Sequence, residues 1–82
     1  MNNVNTSVII PAFNEENAVG EVLKEIPGEW VTEVVVVDNN SKDNTARIAT
    51  QHGATVLYEH RQGYGHACLK GIEYFNSKKQ KP

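Results

Sequence analysis

Four consecutive valines, Val34 to Val37, restrict the fold of this 82-residue chain more than any other feature. The β-branched run between Glu33 and Asp38 predicts a strand. Because successive side chains of a strand point to opposite faces, both faces of this strand are apolar. Both faces must therefore be covered, which is typical of a parallel sheet between layers of helices.

Two further strands and three helices are predicted around this run. Thr6 to Ile10 is a β-branched segment that we expect to end at Pro11, because proline cannot donate to a sheet ladder. Thr55 to Tyr58 predicts the third strand. Apolar residues recur at the spacing of one helix face in two places: Val19, Val22, Leu23 and Ile26, then Ala67, Cys68, Gly71, Ile72 and Phe75.

Polar residues and glycine mark the expected ends of the helices. Asn14 is predicted to be the N-cap of the first helix. Asp43 or Ser41 is predicted to cap the second helix, which runs to about His52. Gly53 follows where a left-handed residue commonly ends a helix.

The element order βαβαβα predicts parallel strands joined by right-handed crossovers. The expected fold is a three-layer α/β domain, half of a doubly wound sheet. Ligands of such sheets bind beyond the carboxyl ends of the strands. The loops PAFNEE, DNNSKD and EHRQGYG follow the three strands, so we expect them to share one rim.

Composition indicates a folded, soluble domain in the cytoplasm. Apolar residues make up 39% of the chain. No apolar run approaches the roughly 18 residues of a membrane span, and the N-terminus lacks signal-peptide features. The single cysteine, Cys68, cannot form an internal disulfide, which agrees with a reducing compartment.

Charge is distributed unevenly along the chain. Residues 1–40 carry seven acids and one base, whereas residues 41–82 carry three acids and seven bases. Three of these bases lie in NSKKQKP, so residues 76–82 are predicted to be a basic, disordered tail. Nucleic-acid contact is the alternative, but such binders concentrate basic charge on one face, and no nucleic-acid partner is expected.

Three motifs, VIIPAFNEE, VVVVDNNSKDNT and EHRQGYGHACLKG, occur in an order and at a spacing that resemble the N-terminal half of family 2 glycosyltransferases. These are inverting enzymes with a Rossmann-like GT-A fold. Within the family, the chain is most similar to polyprenyl-phosphate sugar transferases such as dolichyl-phosphate mannose synthase. The resemblance implies that residues 1–75 are a half-domain that binds a UDP- or GDP-sugar, weakly.

The resemblance, together with the residue types, assigns nucleotide binding to Pro11, Ala12, Phe13, Glu15, Asp38, Asn39 and Arg61. Phe13 offers a face to a base or ribose, and Glu15 can accept hydrogen bonds from ribose hydroxyls. Asn39 can offer both donor and acceptor to a base edge. Arg61 can reach a phosphate.

Each of these assignments has a structural alternative. Phe13 can be a core residue, and Glu15 can be a favourable charge in the first turn of a helix. The DNNS segment can simply cap the second helix. Arg61 can be a solvated loop residue.

Two other kinds of site are disfavoured. Gly63-Tyr64-Gly65 begins like a dinucleotide-binding motif, but it follows the third strand, and Cys68 occupies the position of the last glycine. His60, His66 and Cys68 do not have a recognised zinc spacing. No metal ligands and no catalytic residues are therefore assigned.

The family's Asp-x-Asp motif and catalytic base have no counterpart here, since no aspartate follows Asp43. The resemblance thus implies a truncated transferase, inactive by itself, with Mg or Mn expected only in a full-length parent. The competing hypothesis is an interaction module that kept the fold. Because the first strand is expected at an open sheet edge, a homodimer through that edge or the third helix is predicted.

Overall fold

The computed structural model describes residues 6–79 of the chain. The elements follow the predicted order βαβαβα, with a short 3₁₀ turn after the first helix. They are β1 (Ser7–Ala12), α1 (Val19–Lys24), the 3₁₀ turn (Gly28–Trp30), β2 (Glu33–Asp38), α2 (Thr45–Gln51), β3 (Thr55–Tyr58) and α3 (Tyr64–Lys79).

The three strands form one parallel sheet in the order β1-β2-β3. Ala12 at the end of β1 lies opposite Asp38 at the end of β2, and Asp38 lies opposite Tyr58 at the end of β3. The carboxyl ends of the strands are therefore level. The loops that follow them share one rim, as predicted.

The valine run forms the centre of the core. Val35, Val36 and Val37 are all fully buried. Val36 packs on the side of α1 and α2, in a cluster that includes Val19 and Ala49. Val35 and Val37 pack on the opposite side, against α3. The predicted three-layer α/β arrangement is confirmed.

The predicted end of the first strand at Pro11 is wrong, because β1 continues through Pro11 to Ala12. The Ala12 carbonyl accepts a hydrogen bond from the Asn39 N–H, and the Thr6 carbonyl accepts one from the Thr32 N–H. In a parallel pair, alternate residues bond to a given neighbour, so the nitrogen of Pro11 faces away from β2. A missing N–H costs nothing to the ladder at that position.

Asn14 is not the N-cap of α1, which begins only at Val19. Asn14 has a positive φ of 52°, and its side-chain oxygen accepts a hydrogen bond from the Lys42 N–H in the next loop. The prediction that Asp43 or Ser41 caps α2 is wrong, because Asn44 occupies the N-cap position. Asp43 instead accepts from the Thr45 N–H, and Ser41 accepts from the Asn14 N–H in the first loop. A tertiary contact therefore replaces the local cap predicted at Asn14.

The end of α2 follows the prediction, since Gly53 has a φ of 89°. The prediction of a disordered tail from residue 76 is wrong for residues 76–79, which form the last turn of α3. The Lys78 ammonium lies 2.8 Å from a Glu33 carboxylate oxygen, and the Tyr74 hydroxyl donates to the same carboxylate group at 2.7 Å. Residues 80–82 of the predicted tail lie outside the described residues.

Over residues 6–79, none of the helices combines the length and the apolar character needed to cross a bilayer.

Candidate functional site

The loop after β1 and the loop after β2 are joined by backbone-to-side-chain hydrogen bonds. The Asn14 N–H donates to the Ser41 hydroxyl at 2.8 Å, and the Lys42 N–H donates back to the Asn14 side chain at 2.9 Å. The Glu15 N–H donates to the Thr45 hydroxyl at 2.8 Å. These bonds hold the two loops in one fixed relation at the rim of the sheet.

A second set of hydrogen bonds joins the same two loops, from backbone N–H groups to two carboxylates. Asp43 accepts from the Glu16 N–H at 3.2 Å, and Glu16 accepts from the Asn44 N–H at 3.1 Å. The buried Thr45 hydroxyl donates to Asp43, and this bond is the main reason that the pKa of Asp43 lies below its usual value. Both carboxylates are therefore used to join the loops.

The third loop of the rim, between β3 and α3, is held by Asn39. This residue follows β2 and is only 5% exposed. Its amide nitrogen donates to the carbonyls of Glu59 and Arg61 at 2.9 and 2.7 Å. Its amide oxygen accepts from the Gly63 N–H at 2.9 Å, and its backbone carbonyl accepts from the Gln62 side chain at 2.9 Å.

Arg61 is paired with Glu59 in the same loop. Nε and Nη2 of the guanidinium lie 2.9 and 3.0 Å from the two carboxylate oxygens, a bidentate arrangement. The Arg61 side chain lowers the pKa of Glu59 to about 2, and the pKa of Arg61 is raised in return. In this conformation the guanidinium binds Glu59 within its own loop and does not line the cleft described below.

A cleft of about 350 Å³ opens at the rim between the first and third loops. Its lining residues are Pro11, Ala12, Phe13, Glu15, Asn39, Gln62, Gly63 and Tyr64. Two aromatic side chains are open to solvent there, with Phe13 46% and Tyr64 73% exposed. The Glu15 carboxylate is exposed, and within residues 6–79 no hydrogen bond or ion pair engages it.

Five predicted site residues line this cleft, and two do not. Pro11, Ala12, Phe13, Glu15 and Asn39 line the cleft. Asp38 is buried at its edge, where the Ser41 N–H donates to one carboxylate oxygen at 3.3 Å, and Arg61 is turned to Glu59. Gln62, Gly63 and Tyr64 also line the cleft and are not among the residues predicted from the sequence, although their loop lies on the predicted rim. Charge in the sequence points to Arg61, whereas the position of the cleft depends on the backbone of that loop.

The structure also bears on the alternative, purely structural roles of Phe13, Glu15 and the DNNS segment. Phe13 is too exposed to be a core residue, so that alternative is wrong. Glu15 lies before α1, not in its first turn. The DNNS segment does more than cap α2, because Asn39 holds the third loop. In the part of the chain that the structure describes, no group of three or more histidine, cysteine or acidic residues is arranged to hold a metal ion.

The parallel sheet between helical layers, with its joined loops at the carboxyl rim, has the Rossmann-like architecture of a GT-A half-domain. The sequence model described as "Glycosyl transferase family 2" matches residues 7–78. The chain belongs to glycosyl transferase family 2.

Similar sequences include transferases from several bacteria. An uncharacterised glycosyltransferase of Mycobacterium bovis is 46% identical over 80% of this chain and 29% of its own length. The 4,4'-diaponeurosporenoate glycosyltransferase of Staphylococcus aureus is 39% identical over 89% of this chain and 21% of its own length. This chain thus spans less than a third of either relative. The finer similarity to dolichyl-phosphate mannose synthase stays a prediction.

Solved structures of two enzymes share the fold. Glucosyl-3-phosphoglycerate synthase of Mycobacterium tuberculosis, crystallised with Mn²⁺, uridine diphosphate and glucosyl-3-phosphoglycerate, superposes with a TM-score of 0.79 at 29% identity. The match covers 88% of this chain and 30% of that one. Mannosyl-3-phosphoglycerate synthase of Rubrobacter xylanophilus gives a TM-score of 0.77 at 27% identity, over 84% and 26% of the two chains.

Proposed function

We propose that this chain is the donor-nucleotide-binding part of a family 2 glycosyltransferase and that its cleft takes the nucleoside diphosphate of a UDP- or GDP-sugar. The observation that carries the proposal is the position of Phe13 and Glu15. Both lie in the first loop and line the cleft, one as an exposed ring and the other as an exposed carboxylate that no hydrogen bond or ion pair engages within residues 6–79.

The chemistry of the cleft suits a nucleoside. The exposed Phe13 ring offers a flat face on which a base can stack, and Tyr64 offers a second one across the opening. The Glu15 carboxylate can accept hydrogen bonds from ribose hydroxyls, because no group within residues 6–79 occupies it.

UDP is the first nucleotide to test. The glucosyl-3-phosphoglycerate synthase whose structure superposes on this chain was crystallised with uridine diphosphate, and 88% of this chain takes part in the match. GDP remains the alternative, since nothing in the cleft distinguishes a pyrimidine from a purine by size.

The Mn²⁺ of that relative does not fit the residues of this cleft, because Glu15 is the single carboxylate that residues 6–79 contribute to its lining and such ions take several oxygen ligands. The other nearby carboxylates have partners already. Glu16 and Asp43 are used to join the first two loops, and Glu59 is paired with Arg61. These carboxylates would have to abandon backbone or ionic partners to bind a cation. We therefore propose that Mg²⁺ or Mn²⁺ belongs to a full-length transferase and that this chain by itself binds the donor weakly without transferring sugar.

A nucleotide titration tests the proposal. UDP, GDP and their sugar conjugates are added to the ¹⁵N-labelled 82-residue chain, and the amides of residues 11–16, 38–41 and 62–64 are followed. Saturable shifts confined to these residues are expected at millimolar ligand. The absence of shifts with all of these ligands would overturn the proposal.

A substitution at the proposed stacking face sharpens the test. Phe13→Ala should weaken UDP binding about 5- to 150-fold, because stacking of a base on an aromatic ring contributes about 1–3 kcal/mol. Trp30→Ala is the matched control, since Trp30 is also an exposed aromatic residue but lies in the 3₁₀ turn before β2. Equal losses in the two variants would argue against a specific site at Phe13.

The second candidate function is an interaction module, and the edge position of β1 favours it. Within the described sheet, β1 has a neighbour on one side only, and Leu69 and Ile72 of α3 are each about half exposed. A homodimer through this edge or α3 predicts a doubled mass by light scattering at high micromolar concentration. Ile72→Lys should lower that mass, whereas Val22→Lys on α1 should not. A monomeric wild-type chain would overturn this candidate.

Cytoplasmic location is part of the same proposal. Cys68 on α3 is an unpaired thiol of intermediate exposure, which agrees with a reducing compartment.

A further inference from the structure

We propose that Asn39 is a positioning residue that builds the second wall of the cleft by holding the loop of residues 59–63 against the end of β2. The inference rests on the proposed function, because it assigns a role to that wall in nucleotide binding. It also replaces base recognition, the role first expected of Asn39, with a structural one.

The hydrogen-bonding capacity of Asn39 carries the argument. A side-chain amide has two N–H hydrogens, and here its nitrogen makes two bonds, to the carbonyls of Glu59 and Arg61. Its oxygen accepts from the Gly63 N–H. With both hydrogens donated inside the protein, the amide has no donor left for a base edge.

One of the three side-chain bonds of Asn39, from the Gly63 N–H, reaches a residue of the cleft. Gly63 lines the cleft, with Gln62 before it and Tyr64 after it. The Gln62 side chain returns to the Asn39 carbonyl, so the loop is tied to the end of β2 through both the side chain and the backbone of Asn39. Gly63 is held at a φ of 125°, a conformation that other residues rarely adopt.

The rest of the loop is closed by its own ion pair. Arg61 binds both carboxylate oxygens of Glu59 and donates its backbone N–H to one of them. The pair shapes residues 59–61 but makes no bond to β1 or to the first loop. Asn39 thus joins this turn to the end of β2 through its side chain, beside the Gln62 side chain and the bond from the Glu59 N–H to the Asp38 carbonyl.

An aspartate at this position cannot make the two bonds that the Asn39 amide nitrogen donates. A carboxylate has no hydrogen to donate and would face two carbonyl oxygens with a negative charge, in a site that is only 5% exposed. The Asn39→Asp substitution keeps the size of the side chain, removes its donors and adds a negative charge. A control variant that adds the same charge nearby therefore isolates the proposed role.

The experiment combines UDP titration with amide hydrogen exchange in the full 82-residue chain. Asn39→Asp should weaken UDP binding about tenfold or more at neutral pH. It should also raise the exchange rate of the Glu59 amide, which bonds to the Asp38 carbonyl where the loop meets β2, whereas the Gly63 amide keeps an acceptor in the introduced carboxylate. The matched control is Asn40→Asp, which makes the same change one residue later at an exposed position and should bind UDP within about twofold of the wild type.

A pH series separates positioning from a general loss of structure. Protonation at about pH 5 or below returns one donor to the introduced carboxyl group, so the affinity of Asn39→Asp relative to the wild type should recover as the pH falls. If the variant does not fold, Gly63→Ala takes its place. That substitution strains the same turn, with only the His66 side chain near the added carbon, at 3.7 Å, and should weaken UDP binding similarly.

The outcomes are distinguishable. A wild-type chain that binds UDP, together with an Asn39→Asp variant that binds it equally well, would overturn this inference and leave the proposed function intact. Unchanged exchange at Glu59 in a folded variant would also overturn it. A wild-type chain that binds neither UDP nor GDP would overturn the proposed function, and this inference with it.

Discussion

The backbone N–H of Glu15 donates to the hydroxyl of Thr45 at 2.8 Å, which joins the loop after β1 to the first residue of α2. The two residues are 30 positions apart in the chain. The Thr45 hydroxyl in turn donates to Asp43, and Thr45 itself is completely buried. One hydroxyl therefore positions the carboxylate that is proposed to bind ribose.

Thr45→Val should destabilise the chain and weaken UDP binding. The substitution keeps the shape but leaves the Glu15 N–H without an acceptor, at a cost of about 1–3 kcal/mol in the free energy of unfolding. Urea unfolding and UDP titration provide the measurements. Thr50→Val is the control, because the Thr50 hydroxyl is exposed and bonds only to a carbonyl of its own helix. A similar small loss in both variants would contradict the prediction.

Glu59→Gln should change how stability depends on pH. Arg61 lowers the pKa of Glu59 from 4.5 to about 2, so the ionised pair stabilises the folded state fully above about pH 4.5 and progressively less as the pH falls toward 2. The variant should therefore be less stable than the wild type at pH 7, and the gap should close between these two values. The measurement is urea unfolding across this range.

Glu29→Gln provides the control for that series. Glu29 is exposed, and no ion pair engages it within residues 6–79. Its substitution should leave the shape of the pH curve unchanged. A gap between wild type and Glu59→Gln that stays constant down to pH 2 would show that the ion pair is not the source of the effect.

Gly71→Ala should be destabilising because α3 packs closely on β1 at this residue. An added methyl group would lie 2.7 Å from Cγ2 of Ile9, and such overpacking costs about 1–3 kcal/mol in unfolding free energy. Gly65→Ala in the first turn of the same helix meets nothing within 4 Å and should be stabilising by up to about 1 kcal/mol. Thermal unfolding checks that Gly71→Ala lowers the stability and that Gly65→Ala raises it. Destabilisation by Gly65→Ala would contradict the explanation.

Gly53→Ala tests the backbone at the end of α2. Neither Gly53 nor Gly28 has a neighbouring atom within 4 Å of an added Cβ, but only Gly53 has a positive φ, 89°. Gly53→Ala should therefore cost about 1–2 kcal/mol, whereas Gly28→Ala should stay within about 0.5 kcal/mol of the wild type. Equal unfolding free energies for the two variants would show that the turn relaxes.

Most of the fold could be predicted from the sequence because its signals are local. The valine run requires cover on both faces wherever it lies, and Gly53 meets the backbone requirement of a helix end by itself. The boundaries that depend on neighbours could not be predicted in this way. Pro11 is tolerated inside β1 only because its nitrogen faces away from β2, which depends on the pairing register.

Some features of the candidate site could likewise be predicted from the sequence, and others could not. Sequence by itself determined the order of the elements, the shared rim and the loops that form it, because periodicity and the parallel topology of alternating strands and helices are properties of short segments. Only the tertiary structure decided that Asn14 bonds to the second loop, that Arg61 pairs with Glu59 and that Asn39 holds the third loop. A polar side chain has many possible partners in sequence, and the choice among them is made by which groups are brought within about 3 Å on folding.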